Sequence, residues 1–398
     1  MNIAKMKNTN HSATYHLSFW LFSILIVFTA STSSISASTD NTGNVAGEAT
    51  RKKVPTLSAQ TSSPTKEQEE TKLISALKEV EEKNGVEHIS LVSYLIQLGK
   101  FYYSTGEYEN ALPFAERSLA INEKMRGAEH PRTATSLNNL AELYKSLGRY
   151  EEALSYYKRS LAIREKILQK NHLGVANTLN GIASLYKKMG QFDLALPHFQ
   201  RSLSIRETIL PEDHPDVAQS LINIAGVYST TGEDNKALPL LQRSLIILEK
   251  QLPKNESLFT TALNNLAVLY LEKKQYEQAL PHLERSLALL EKSFPPDHLE
   301  ITYILHNLAS VNFFTGRYSE GVALSQRNLA IREKVLPLHH PDIADSLNIL
   351  ASFYHNVGRY DEALPLYQRS LTIREKALSS NHPNIAISLN NIAVLYTN

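Results

Sequence analysis

The side chains in this chain that could do chemistry recur at one interval. His-Pro dipeptides stand at His130-Pro131, His214-Pro215, His340-Pro341 and His382-Pro383. Histidine is a common metal ligand and general base. Equivalent histidines here lie one repeat apart, at helix-packing distances of about 8–10 Å, whereas a metal needs its ligands near about 2 Å. These dipeptides therefore read as helix starts, with proline at the first helical position. Neither a metal nor a cofactor is expected.

Asparagines form a second periodic set. Asn138 and Asn139 stand together, and at successive periods the second position reads Asn139, Gly181, Asn223, Asn265, Asn307, Ile349 and Asn391, with Gln97 before them and Asn264 beside Asn265. An amide both donates and accepts, so such a ladder can pair with the backbone of an extended peptide. It can equally pair neighbouring helices, and the pattern leaves both readings open. No in-phase lysine or arginine set is read beside the asparagines, so a carboxylate clamp is not expected. Arginines and glutamates are also periodic but balanced in sign. They read as solvated or inter-repeat pairs, each worth under about 1 kcal/mol. One unit departs from the pattern: Asn312 stands where the others carry Tyr144, Tyr186, Tyr228, Tyr270 and Tyr354. Phe313 and Phe314 follow it, and Tyr303 and His306 precede it. Exposed aromatics in a groove anchor partners; a local repacking is the alternative. The chain holds no phosphate-cradling glycine loop, no His-Glu-x-x-His, no Gly-x-Ser-x-Gly elbow and no calcium loop. It also has no cysteine, which excludes a thiol nucleophile, a disulfide and a cysteine-held metal. An enzyme is not expected.

The elements that must position these residues follow from a 42-residue period. Arg-Ser-Leu begins at Arg117, Arg159, Arg201, Arg243, Arg285 and Arg369, and Arg-Asn-Leu at Arg327, without slippage. Glu123, Glu165, Glu207, Glu249, Glu291, Glu333 and Glu375 keep the same beat, as do Gly106, Gly148, Gly190, Gly232, Gly316 and Gly358, with Lys274 the exception. Each unit reads as two helices. Leu137, Leu140, Ala141 and Tyr144 fall on one helical face, and Gly148 ends that helix. A second helix begins near Tyr150 with Ala153, Leu154, Tyr157, Leu161 and Ile163 inward, and ends before Asn171-His172. Pro113, Pro197, Pro239, Pro281 and Pro365 fall early in second helices, where the first turn tolerates a missing N–H.

With Leu137-x2-Leu140-Ala141-x2-Tyr144, then Gly148, Tyr150, Ala153 and Tyr157, the unit resembles the tetratricopeptide repeat. Its 42-residue length and its LNNLA and RSLAIREK phrases are similar to the kinesin light chain type. The resemblance covers about 66–398 and implies an all-α, right-handed α-solenoid of antiparallel helix pairs. It implies a protein–protein interaction scaffold that binds a protein or peptide segment in its concave groove. By that resemblance the partner-contacting side chains sit beside the packing residues of the first helix: Asn138, Asn139, Asn223, Asn264, Asn265, Asn307 and Asn391, with Tyr303, His306, Phe313 and Phe314 as further candidates. A rigid spacer that self-associates through its end helices is the rival reading.

The phase extends past both ends of the repeats. An orphan second helix caps the array at 66–88, seven repeats run over about 90–383, and a lone first helix caps it at 384–397. Lys plus Arg is 41 against 40 for Asp plus Glu, a balance that argues against a nucleic-acid partner. Residues 1–38 differ from the rest. Lys5 and Lys7 precede an apolar run from Leu17 to Ala30 and a small-residue stretch from Ser31 to Ser38, the three parts of a secretory signal. The expectation is an exported chain, periplasmic or secreted, whose mature form starts between Ser36 and Asp40. An uncleaved membrane anchor is the alternative. Residues 39–65, rich in serine and threonine, read as a flexible tether.

Overall fold

The computed structural model describes residues 66–168, 170–379 and 381–397, and among these every regular element is a helix. The signal-like segment and the Ser/Thr-rich stretch lie outside the described residues. The chain divides into two compact units at Pro211 and Glu212. The N-terminal unit holds α1 (Lys66–Asn84), α2 (Leu91–Ser104), α3 (Tyr108–Arg126), α4 (Pro131–Ser146), α5 (Tyr150–Ile167), α6 (Leu173–Lys188) and α7 (Phe192–Ile209). The C-terminal unit holds α8 (Pro215–Thr230), α9 (Asp234–Glu249), α10 (Glu256–Glu272), α11 (Tyr276–Ser293), α12 (Leu299–Phe314), α13 (Tyr318–Val335), α14 (Pro341–Asn356), α15 (Tyr360–Ala377) and α16 (Pro383–Tyr396). From α2 to α15 the helices pack as first and second members of successive pairs, an α-solenoid in each unit.

The periodic residues set the limits of each helix. His130, His172, His214, His298, His340 and His382 take the N-cap position of the first helices, in extended backbone conformation. Each imidazole Nδ1 accepts the backbone N–H two residues on, at 2.9–3.3 Å. This satisfies one donor that the first turn leaves orphaned. The pairing commits Nδ1 of each ring to the backbone. At the other end of the helix Gly148 has φ 76°, as its counterparts do between 72° and 78°. Only glycine enters that left-handed region without a Cβ penalty. Lys274, the single exception in the sequence, adopts φ 58° and keeps the same turn.

Packing explains the Arg-Ser-Leu triplet residue by residue. The serine hydroxyl reaches back to a carbonyl of the first helix in its own repeat: Ser160 to Ala134, Ser202 to Ala176 and Ser370 to Ala344, at 2.7–2.8 Å. Asn328 does the same through its longer amide, Nδ2 donating to the Thr302 carbonyl at 2.6 Å. The arginine points outward and meets the glutamate of the preceding second helix: Arg117–Glu81, Arg159–Glu123 and Arg201–Glu165 in one unit, Arg285–Glu249, Arg327–Glu291 and Arg369–Glu333 in the other. These are the inter-repeat pairs of the sequence reading. Half-exposed as they are, they set register more than they add stability.

The prolines require a correction. Pro113 sits inside α3, which starts at Tyr108, and Pro197, Pro239, Pro281 and Pro365 sit equally deep. They lie in the second turn, one turn beyond the expected place. The helix runs through each of them at the loss of one backbone hydrogen bond.

Candidate protein-binding surface

The first helices carry the candidate residues, and the two units hold them differently. In the N-terminal unit Leu137, Leu140, Ala141 and Tyr144 of α4 are buried against the neighbouring helices. That packing turns Asn138 and Asn139 to the side facing away, where both stay half-buried. Asn138 Oδ1 lies out of solvent and accepts no hydrogen bond. Asn139 borders a crevice of about 30 Å³ floored by Leu95, Ile96 and Leu143 and edged by Lys100 and Tyr103. Two turns along α4, Lys145 Nζ pairs with Glu142 at 2.5 Å, both side chains nearly sealed from water. The Tyr157 hydroxyl donates to the same carboxylate. Burial and that carboxylate push the Tyr157 phenol well above its usual range.

Lys187 and Lys188 end α6 on the same side. Burial pulls both ammonium groups below the usual lysine range, and Lys145 adds its repulsion at Lys188, partly offset by Glu142. Lys145 and Lys187 stand one period apart. The pair lies two turns from the asparagine positions and occupies only two of the repeats, so it is not a set that accompanies the ladder.

In the C-terminal unit the amides face one another. Asn307 Nδ2 donates to Asn264 Oδ1 at 2.8 Å, and Asn391 Nδ2 donates to Asn348 Oδ1 at 2.8 Å. The four side chains are buried, as is Asn265. Each pair joins the first helices of consecutive repeats through a 43-residue spacing. Asn223, half-buried, accepts from Gln219 Nε2 at 3.1 Å. In the N-terminal unit the residue 43 beyond Asn138 is Gly181, which has no side chain to offer. A Cβ added there would lie 2.5 Å from the Tyr157 ring.

The aromatic residues of the divergent unit also find structural neighbours. Phe313 is buried with Ala309, Ile349 and Phe353, and its ring meets those of Phe353 and Tyr318 edge-on at 5.4 and 5.9 Å. Phe353 fits because its neighbour is Gly321, where a Cβ would come within 2.1 Å of the ring; other repeats carry alanine at that place. Phe314, half-buried, stacks on Tyr276 at 5.1 Å. His306 is buried, and desolvation with the nearby Arg332 guanidinium lowers its pKa to about 3. Tyr303 lies half-buried near the same guanidinium.

That guanidinium belongs to a set sequence reasoning overlooked. Arg164, Arg206, Arg332 and Arg374, the later arginine of each second helix, are buried, unlike the outward arginines of the triplet. Arg164 Nη1 donates to the Gly174 carbonyl and Thr178 Oγ1, Arg332 Nη1 to the Asp342 carbonyl and Ser346 Oγ, and Arg374 Nη1 to the Asn384 carbonyl and Ser388 Oγ, all at 2.5–3.0 Å. Where the arginine is replaced by Leu248 or Leu290, the hydroxyl residue is replaced by Ala262 or Ile304. That matched exchange between two in-phase columns could have exposed the contact from the sequence. On the other side, Arg374 Nη2 meets Asp345 at 2.6 Å, Arg206 Nη2 meets Asn177 at 3.0 Å and Arg164 Nη2 meets Thr135 at 3.3 Å. The equivalent of these acceptors beside Arg332 is Tyr303, and Arg332 Nε and Nη2 accordingly have no acceptor.

The helix pairs, their glycine-ended turns and their period have a counterpart among known sequences. The sequence profile of the tetratricopeptide repeat matches residues 90–166, 174–250, 258–334 and 342–397, more than half the chain. The chain belongs to the tetratricopeptide repeat family. Its repeats are 42 residues long. Among solved structures it is similar to the apo quorum sensor NprR of B. thuringiensis, at 14% identity and TM-score 0.60, over 78% of this chain and 84% of that one. Aspartyl phosphate phosphatase F of Bacillus subtilis matches at 16% identity and TM-score 0.54, over 76% and 75%. The kinesin light chain-like repeats of Podosopora anserina match at 23% identity over 63% of this chain and all of that one, with TM-score 0.33. No curated protein matches the sequence. Membership of this family marks the chain as a protein-interaction scaffold. Among the described residues no helix is long and apolar enough to cross a membrane.

Proposed function

We propose that the scaffold holds an extended, acidic segment of a partner protein along the first-helix face of its N-terminal unit, the concave side of a tetratricopeptide groove. One observation carries this reading: Lys145 and Lys188 share a single carboxylate, Glu142, one turn along α4 from Asn138, whose Oδ1 is unpaired, and Lys187 is desolvated beside Lys188. Cations held with too few counter-charges in a desolvated place gain from an incoming carboxylate. Asn138 and Asn139 supply amides for the peptide backbone, whatever its side chains. In the C-terminal unit Asn264, Asn307, Asn348 and Asn391 spend hydrogen-bonding capacity on one another, which moves the proposed contact toward the N-terminal unit.

A peptide array of acidic, neutral and basic twelve-residue sequences tests this. Acidic sequences are expected to bind the full chain, and binding should weaken with salt. Lys187→Glu with Lys188→Glu should lower that affinity at least about tenfold, a loss of about 1.4 kcal/mol, with unchanged helix content. Equal binding of all three peptide classes, or an unaffected charge-reversal variant, would overturn the proposal. We also propose that the chain works outside the cytoplasm, from the Lys5, Leu17–Ala30 and Ser31–Ser38 pattern. N-terminal sequencing of protein from native cells should find a start between Ser36 and Asp40; an intact Met1 in a soluble cytoplasmic fraction would refute export.

A further inference from the structure

One in-phase position of the second helices carries a large side chain in most repeats and a small one in the first. Tyr157, Phe199, Leu241, Leu283 and Tyr367 occupy it, and none of the five is more than 1% exposed. Tyr157 shows what the position does. Its ring lies against Gly181 of α6 and its hydroxyl donates to Glu142 of α4, so it fills the space between two first helices. In the first repeat the same position is Ala115. Ala115 is half-buried and walls the crevice of about 30 Å³ between α2 and α4. In the C-terminal unit the position also falls to a small residue, Ser325. There the next first helix, α14, carries Ile349 and Phe353, both buried, where α4 has Asn139 and Leu143. The first repeat has neither the large side chain nor this substitute.

We infer that this crevice is a specificity pocket for one branched aliphatic side chain, leucine or valine, of the acidic segment proposed above; the inference rests on that reading. Size and chemistry select the occupant. A space of about 30 Å³ holds roughly two water-sized spheres, which suits an isopropyl group and is too small for an aromatic ring. Its floor of Leu95, Ile96 and Leu143 is apolar. The two hydroxyls that line it, Ser118 and Ser136, are buried and lie 3.3 Å from each other, and Ser136 also accepts from Asn122 Nδ2 at 2.9 Å. Both are already paired, so the crevice calls for no polar group. Lys100 at its edge is half-buried and forms no ion pair among the described residues. An ammonium beside an apolar slot matches an aliphatic side chain flanked by a carboxylate and disfavours a basic neighbour. The chain itself shows that a leucine suits the position. Leu241 and Leu283 are buried there with Asn265 and Asn307, the counterparts of Asn139, in the next first helix. A partner leucine would fill from outside what these leucines fill from within.

Acidic twelve-residue peptides with a single leucine, moved one place at a time through the series, test this by titration against the full chain. At the best place leucine should bind about tenfold tighter than alanine, and phenylalanine no tighter than alanine. Ala115→Leu, which copies Leu241 and Leu283, should remove the leucine preference and leave the melting temperature unchanged or higher, because it fills the space from within. A leucine preference that survives Ala115→Leu overturns the inference. So does a series in which leucine gives no gain at any place, a result that needs no protein variant. Lys187→Glu with Lys188→Glu separates the pocket from the reading it rests on. Acidic binding that this variant weakens, with no leucine preference, overturns the pocket and keeps the acidic groove. A leucine preference lost in Ala115→Leu but untouched by the charge reversal keeps the pocket and overturns the acidic groove. No binding by any peptide of the series overturns both.

Discussion

Buried arginines persist in this fold only where neighbouring residues supply acceptors, and the four cases differ in how well that is done. Arg374 holds Asp345 together with a carbonyl and a hydroxyl. Removing it leaves a buried carboxylate alone, so Arg374→Leu should cost about 3–5 kcal/mol in denaturant unfolding of the C-terminal unit. Arg332 lacks an acceptor on two of its nitrogens, and Arg332→Leu, the residue two other repeats already use, should cost less than about 1 kcal/mol or stabilise the unit. Equal losses in the two variants would refute this ranking. His306, beside Arg332, is held neutral, with its pKa pushed down to about 3 from the ordinary 6.5 or so. A depressed histidine contributes stability that is whole above about 6.5 and is lost as pH falls toward about 3. The C-terminal unit should therefore weaken on acidification through that window, and His306→Asn should flatten this part of the profile. The sequence showed His306 only as a departure from pattern. Its role depends on a guanidinium from another helix, which no local spacing reveals. The buried arginines were hidden for a related reason: in one dimension they look like their outward counterparts five residues earlier.

At the level of the helices, what repeats was legible and what couples one repeat to the next was less so. The glycine-ended first helix, the His-Pro starts and the Leu/Ala/Tyr face follow from residue type and spacing, and the structure places them where the period does. The asparagine ladder was ambiguous because an amide suits a peptide backbone and a neighbouring amide equally. The structure separates the two uses by position: Asn264 with Asn307 and Asn348 with Asn391 bond across repeats, whereas the residue 43 beyond Asn138 is Gly181, which has no amide to offer. The spacing of 43 rather than 42 was the missed sign of helix-to-helix pairing. Asn307→Ala and Asn264→Ala should each destabilise the C-terminal unit by about 1–3 kcal/mol, because the remaining amide is left buried without its partner. The double variant should cost less than the sum, with a coupling of at least about 0.5 kcal/mol. Strict additivity would show that the two amides do not depend on each other.

For the molecule as a whole, a stack in which each repeat touches its neighbours should localise damage. Ala183 of α6 is fully buried, and Ala183→Trp should overpack its helix pair at about 1–3 kcal/mol or more. Hydrogen exchange should then quicken in α6 and its immediate neighbours and stay unchanged in α14 and α15; a uniform rise would contradict a one-dimensional stack. The paired columns of the second helix set a further condition, on how such a gene can lengthen or shorten. Because every unit is 42 residues long, any deletion of that length preserves the helical frame, yet not all such deletions preserve chemistry. Excising 333–374 would join Arg332 to the segment bearing Asn384 and Ser388, acceptors of the kind it now uses. Excising 291–332 would instead set Leu290 against Ser346, a hydroxyl that now receives an arginine. The repeats are thus interchangeable in length but divided into two dialects, and recombination that mixes the dialects at a junction loses the arginine–hydroxyl contact between neighbouring repeats.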